Sequence, residues 1–342
     1  MTGAAPLLEV TDLAVEFRTP GGVVRAVDGL TYQVEAGRTL AIVGESGSGK
    51  SVSSLAVMGL LGPTAHVTRG TARLNGTDLL ALPPREHRAR CGQDVAMVFQ
   101  DALAALNPVL TVGFQLTEAL RARHRISRGE ARQRAVELLD LVKVPHARER
   151  VRDYPHQFSG GMRQRVMIAC ALALDPKVLI ADEPTTALDV TVQAQVLRLL
   201  AEIQAERQMG LVLITHDLGV VAGVADDVTV MYAGRAVEQA GVLGAFRSPA
   251  HPYTRALLQS VPQLGSRTRL PVIPGRPPGP GDRPAGCPFH PRCALAQDVC
   301  RADPPPPLVE AAPGRWSACH FAGDVLRGAA VPAETTPEGD PR

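Results

Sequence analysis

The sequence predicts an α/β protein: a mainly parallel sheet interleaved with helices, split by a helical insertion and followed by a small irregular C-terminal region. Three observations carry this. Short β-rich runs alternate with helical stretches over residues 7 to about 100 and again over 159 to about 240. Residues 101–158 lack clear strand-like runs. Beyond residue 264 lie 16 of the 29 prolines, including Pro304 to Pro307, so that part needs something other than regular secondary structure to hold it together.

With 342 residues, 45% hydrophobic and 20% charged, the chain is long enough to bury a substantial core. Its formal charge of +2 gives no support to nonspecific binding of a polyanion. The N-terminal segment reaches Glu9 and Asp12 with no basic and apolar leader ahead of them, so no secretory signal is expected. The longest stretch free of charged residues, Ser51 to Thr68, contains Ser53, Ser54, Gly59, Gly62 and Pro63, which suits no membrane span. A cytoplasmic protein is expected.

The apolar run Leu40 to Val43 predicts a buried strand, and the helix-like stretch Ser51 to Leu61 follows it. Between them Gly44-Glu-Ser-Gly-Ser-Gly-Lys-Ser51 fits the phosphate-loop pattern G-x-x-x-x-G-K-[ST] in its required strand–helix context. Such a loop points backbone N–H groups at phosphate oxygens, aided by the positive end of the helix. Lys50 would reach the β and γ phosphates, and the Ser51 hydroxyl would ligate Mg²⁺. A plain glycine-rich turn is the bland alternative.

The run Val95 to Phe99 predicts another strand, with Gln100 after it. In the insertion, Ser127-Arg-Gly-Glu130 is a capping box, followed by Ala131, Ala135, Leu138, Leu139 and Val142 at helical spacing. From Arg121 to Arg152 ten Lys or Arg face four acidic residues. Such a run is most often a solvated helical face, and a docking surface is the sharper alternative.

Val178-Leu-Ile-Ala-Asp-Glu183 predicts a buried strand ending in two carboxylates at the sheet's C-terminal edge, beside the phosphate loop. There Asp182 would take the metal and Glu183 would orient and deprotonate a water. Paired acids at a strand end are otherwise often a helix N-cap. Leu211 to Thr215 and Val228 to Tyr232 predict the last core strands.

Ser159-Gly-Gly-Met-Arg-Gln-Arg lies 23 positions before Asp182. With it, the order of motifs resembles the ATP-binding cassette (ABC) ATPases: phosphate loop, Gln100, signature loop, Asp182-Glu183, Ala187-Leu-Asp189 and His216 after a strand. The resemblance implies an ABC-type P-loop ATPase core at residues 1–100 and 159–245 and a helical signature-side insert at 101–158. It adds a peptide-importer extension at 246–322 and leaves 323–342 as a disordered tail.

For the site it implies ATP held by Phe17, Gly44, Glu45, Ser46, Gly47, Ser48, Gly49, Lys50, Ser51 and Val52, and Mg²⁺ held by Ser51, Gln100 and Asp182. Glu183, His216, Gln100 and Lys50 would carry catalysis. Ser159, Gly160, Gly161 and Met162 would close over ATP held by an opposite subunit, and Asp189 would couple the two sites. By position alone Ser159 is as readily a helix N-cap, His216 a structural histidine and Phe17 a strand-end core residue.

One cassette with no span or coiled-coil arm fits a separate energy-coupling subunit of an importer. Phe99-Gln-Asp-Ala-Leu-Ala-Ala-Leu-Asn-Pro108, Ala181 to Val190 and His251-Pro-Tyr-Thr-Arg-Ala-Leu-Leu258 resemble the oligopeptide/dipeptide importer ATPases, a group that also serves nickel uptake. Ala102 departs from the proline usual there. Implied partners are a second, nonidentical ATPase subunit, two transmembrane permeases and an extracytoplasmic binding protein, with no nucleic acid. The expected place is peripheral, on the cytoplasmic face of the inner membrane. An importer ATPase for nickel or another small solute, and a soluble ABC ATPase acting on nucleic acid, are the alternatives.

Cys287, Cys293, Cys300 and Cys319 are spaced C-x5-C-x6-C-x18-C. In a reducing compartment a cluster favours metal over disulfide. Dipeptide-type members of the resembling family carry a four-cysteine segment of this kind, which implies a [4Fe-4S] cluster; Zn²⁺, or free or oxidised thiols, are the alternatives.

Overall fold

The computed structural model describes residues 5–186, 188–261, 272–279 and 281–328. Strands β1 (Leu8–Thr19) and β2 (Gly22–Val34) form a long hairpin, followed by β3 (Thr39–Val43), β4 (Ala65–Leu74) and β5 (Thr77–Asp78). The later strands are β6 (Val95–Val98), β7 (Val178–Asp182), β8 (Gly210–Thr215), β9 (Asp227–Tyr232), β10 (Arg235–Gly241), β11 (Val309–Ala312) and β12 (Arg315–Ser317). They build two sheets, one ordered β2-β1-β4-β5 and the other β11-β12-β10-β9-β3-β8-β7-β6.

The larger sheet is parallel from β9 through β6, with Thr39 to Val43 of β3 in register with Leu211 to Thr215 of β8, and β8 in turn with β7. Every residue of β3, β7 and β8 is buried, as expected of parallel strands covered on both faces. This arrangement brings the C-terminal ends of β3, β7 and β8 to one edge, where open α/β sheets bind ligands.

The first sheet corrects the expectation of a mainly parallel arrangement in the N-terminal part. Its strands pair antiparallel, and its β1–β2 ladder is interrupted by bulges, one beside Asp12 at φ +51°. Bulges break the strict alternation by which a half-buried strand is recognised from sequence.

Between β6 and β7 the chain carries the helices Ala102–Ala105, Val112–Arg123, Arg128–Leu141, Ala147–Arg150 and Gly160–Leu172, and among the described residues no strand. Leu116, Leu120, Leu138 and Leu139 pack in one core with Val166, Ile168 and Leu172 of the last of these helices. The Ser127 capping box is formed, Glu130 N–H donating to Ser127 Oγ at 3.2 Å and Ser127 N–H to Glu130 Oε2 at 2.7 Å.

The C-terminal region is less irregular than its prolines imply. Strand β12 pairs with β10 and β11 with β12, extending the core sheet, and helix Ala322–Leu326 follows. Residues 323–328 of the expected disordered tail thus include most of a short helix; 329–342 lie outside the described residues.

The same region corrects the expectation of a metal staple. Cys287, Cys293, Cys300 and Cys319 do line one cavity, but its volume is about 10 Å³, room for a single water at most. Among the described residues no group of three or more His, Cys, Asp or Glu is arranged to hold a metal ion. Burial raises the Cys287 thiol and pushes Cys293 up to about 11 and Cys319 up to about 12, so these side chains stand as neutral, free thiols. Among the described residues nothing is arranged as a site for a [4Fe-4S] cluster or for Zn²⁺. What holds this region is packing: Phe289 is buried against Tyr232 and Tyr253, with ring centroids 5.3 Å from each.

Candidate active site

The phosphate loop leaves β3 at Gly44 and enters the helix Lys50–Val57. Two of its glycines are dictated by space as well as conformation. Gly44 has φ +156° and a side chain there would run into the Met231 carbonyl; Gly49 has φ +96° and a Cβ would lie 2.5 Å from the Ala26 carbonyl oxygen.

The loop forms one wall of a cavity of about 610 Å³, lined by every residue from Gly44 to Val52 together with Gln100, Glu183, His216 and Leu257. Lys50 is 5% exposed and its ammonium donates to the Gly44 carbonyl at 2.7 Å and the Glu45 carbonyl at 3.0 Å. Burial lowers its pKa, opposed by the negative charges of Glu183, Asp182 and Glu45.

Asp182 ends β7 and Glu183 follows it directly. Ser51 Oγ donates to Asp182 Oδ1 at 2.9 Å, so the first turn of the helix is tied to the neighbouring strand end. Asp182 is 6% exposed; burial raises its pKa, helped by the Glu183 charge and opposed by the Ser51 hydrogen bond and Lys50.

Glu183 sits in the left-handed region at φ +43°, a strained conformation for a residue with a side chain. Its N–H donates to the Ile214 carbonyl at 2.9 Å, which fixes the turn against β8. Three side chains converge on its carboxylate: Gln100 Nε2 donates to Oε2 at 3.1 Å, Thr186 Oγ1 to Oε2 at 3.0 Å, and His216 Nδ1 lies 3.3 Å from Oε1. The structure thus unites Gln100, Lys50, Ser51, Asp182, Glu183 and His216 at one sheet edge.

The other expected residues lie outside the lining of this cavity. Phe17 is on β1 opposite Val24, half-buried against the core. Ser159 caps the helix Gly160–Leu172, its Oγ accepting the Met162 N–H at 3.4 Å, and Asp189 caps Val190–Arg207 through the Val192 N–H at 3.0 Å. The two caps adjoin: a Cβ on Gly161 would lie 2.5 Å from Val192 Cγ1. Leu257, Thr186, Tyr253 and Arg292 are the neighbours that sequence reasoning gave no role. Thr186, Tyr253 and Leu257 stand inside recognised motifs, but nothing in their spacing announces which way they face.

The family model described as ABC transporter matches residues 27–186, the segment that carries the phosphate loop, the helical insertion and the acid pair. Cassettes with this fold have been solved: a dimeric bacterial ABC transporter cassette, MJ0796, aligns at TM-score 0.61 and 26% identity over 69% of this chain and 98% of its own. Its post-hydrolysis form with ADP and phosphate bound aligns equally well. The fold and site are those of an ABC-type ATPase.

A second model, the C-terminal region of oligopeptide/dipeptide transporters, matches residues 237–300. The oligopeptide transport ATP-binding protein OppD of Salmonella typhimurium is 51% identical over 314 residues, 92% of this chain and 93% of the relative. The dipeptide transport ATP-binding protein DppD of Escherichia coli is 50% identical over 316 residues, 92% of this chain and 96% of the relative. The chain belongs to this family of ABC transporter ATP-binding proteins.

Proposed function

We propose that this chain is the ATP-hydrolysing, energy-coupling subunit of an importer for dipeptides or oligopeptides. The observation that carries the chemistry is the convergence of Gln100, Thr186 and His216 on the Glu183 carboxylate, beside a phosphate loop whose Ser51 is bonded to Asp182. The cargo class rests on the 50–51% identity with OppD and DppD. Among the described residues no helix is long and apolar enough to cross a membrane, so transport requires permease partners, and a binding protein delivers the cargo.

In this reading residues 44–52 cradle the phosphates and Lys50 turns from the loop carbonyls to the β and γ phosphates. Ser51 and Asp182 offer hard oxygen donors next to each other, with the Gln100 amide oxygen as a third, a set that suits Mg²⁺ sharing its shell with phosphate and water. When bound, Mg²⁺ neutralises charge on the β and γ phosphates. Glu183 takes the proton of the attacking water, a P–O bond forms to the γ phosphorus, and the bond to the bridging oxygen of ADP breaks. His216 and Gln100 orient the carboxylate and the water, and Phe17 stacks on adenine.

Ser159, Gly160, Gly161 and Met162, which lie outside the cavity lining, serve the nucleotide of a second cassette, and Asp189 couples the two sites. That second cassette is a homologous, nonidentical subunit. Residues 1–100 and 159–245 form the ATPase core, 101–158 the helical insert that meets the permease, and 246–322 the peptide-importer extension. The assembly sits at the cytoplasmic face of the membrane.

The test is ATP turnover by the membrane complex with peptide-loaded binding protein. Peptide is expected to stimulate hydrolysis severalfold. Stimulation by nickel and not by peptide would replace the cargo, and stimulation by DNA without permeases would overturn the transport reading.

A further inference from the structure

The C-terminal extension grips the phosphate loop at Glu45. Arg292 places both terminal nitrogens on that carboxylate, Nη1 2.8 Å from Oε2 and Nη2 3.1 Å from Oε1, the fork geometry that fixes direction as well as distance. The Arg292 side chain is 5% exposed and that of Glu45 24%, so this is not a solvated surface pair. The guanidinium is anchored on its remaining edge: Nε donates to the Pro274 carbonyl at 2.8 Å, and Nη1 also reaches the Tyr232 hydroxyl at 3.3 Å.

A second hold falls on the main chain of the same residue. The Tyr253 hydroxyl accepts the Glu45 N–H at 2.9 Å, so that donor is directed at the extension. Tyr253 is fully buried and packs on Tyr232 with centroids 4.7 Å apart, and Leu257, one turn along the same helix Pro252–Gln259, lines the nucleotide cavity. Residues 208 and 247 positions downstream thus fix both the backbone and the carboxylate of one phosphate-loop residue.

The consequence is electrostatic as well as mechanical. A carboxylate in a phosphate cradle repels its ligand unless it is neutralised and turned aside. We propose that Arg292 is a positioning residue for the phosphate loop: by pairing with Glu45 it lets the C-terminal extension set the affinity of the cassette for MgATP. This rests on residues 44–51 being the ATP cradle.

The experiment is binding of a fluorescent ATP analogue with Mg²⁺ to the full chain at fixed ionic strength, for the parent, Arg292→Gln, Glu45→Gln and the double variant, with Arg292→Lys alongside. Losing a buried charged fork should weaken binding about tenfold or more in Arg292→Gln, with Arg292→Lys intermediate. Glu45→Gln gives the sharper readout. Removal of a negative charge alone would tighten ATP binding, whereas loss of the clamp weakens it, by about threefold or more. In the Arg292→Gln background, where Glu45 is already unpaired, the same change should tighten binding.

Arg292→Gln within twofold of the parent, or Glu45→Gln that tightens or leaves unchanged the affinity of the parent background, overturns the inference alone. A thermal melt reports whether Arg292→Gln folds; if it does not, the sign of the Glu45→Gln effect decides. A parent chain that binds no MgATP overturns the nucleotide reading itself.

Discussion

The Ser51 hydroxyl donates to Asp182 at 2.9 Å, joining the first turn of a helix to the end of a strand 131 positions later. If this pair holds the metal, Ser51→Ala and Asp182→Asn should each raise the Mg²⁺ concentration needed for half-maximal ATP binding, by about ten- to a hundredfold for a charged contact. Titration with Mg²⁺ at constant ATP checks it. An unchanged midpoint in both variants would remove the metal from this site.

Asp182 also sets a pH dependence. Burial raises its pKa above the ordinary 3.8, so the folded chain takes up this proton more readily than the unfolded one. The ionised form costs stability at neutral pH, and that cost is relieved as pH falls through the raised value. Metal binding needs the ionised form. MgATP affinity should therefore decline on acidification sooner than an ordinary carboxylate would allow, and Asp182→Asn should lose this limb of the profile.

Stability should move the opposite way at His251. Its ring is buried, accepts the Tyr253 N–H at Nδ1 at 3.1 Å, and is pushed from 6.5 down to about 3 by desolvation. The unfolded chain binds the proton first, so this group's contribution is complete above about pH 6.5 and is lost as pH falls from there toward 3, at up to about 1.4 kcal/mol per pH unit. Denaturant midpoints between pH 7 and 5 should drop, and His251→Asn should flatten that drop.

Gly161 is a packing constraint between two caps. With Val192 Cγ1 2.5 Å from where its Cβ would be, Gly161→Ala should cost about 1–3 kcal/mol by overpacking. Val192→Ala in the same chain should recover most of that loss. Thermal unfolding of the single and double variants checks it; no recovery would mean that the contact does not govern the junction.

The nucleotide cradle is legible in the sequence because a phosphate loop is contiguous and its chemistry needs glycines, a lysine and a hydroxyl at fixed spacing. The acid pair is legible because a fully buried strand is an unbroken apolar run that ends where charge begins. Other features leave no such trace. The Arg292–Glu45 fork joins residues 247 apart, and only the fold brings them together. Strands β11 and β12 have four and three residues, and they follow a run of four prolines that masks their pattern. The cysteines share one cavity of about 10 Å³, yet among the described residues they form no group arranged to hold the metal that the family resemblance implied.

The most direct test of the account is single-turnover ATP hydrolysis by the assembled complex carrying Glu183→Gln, with ATP binding measured on the same sample. Loss of a positioned base predicts turnover reduced about a hundred- to ten-thousandfold with ATP affinity essentially unchanged. Hydrolysis at the parent rate would contradict the role assigned to Glu183 and, with it, the mechanism built on the groups that surround its carboxylate.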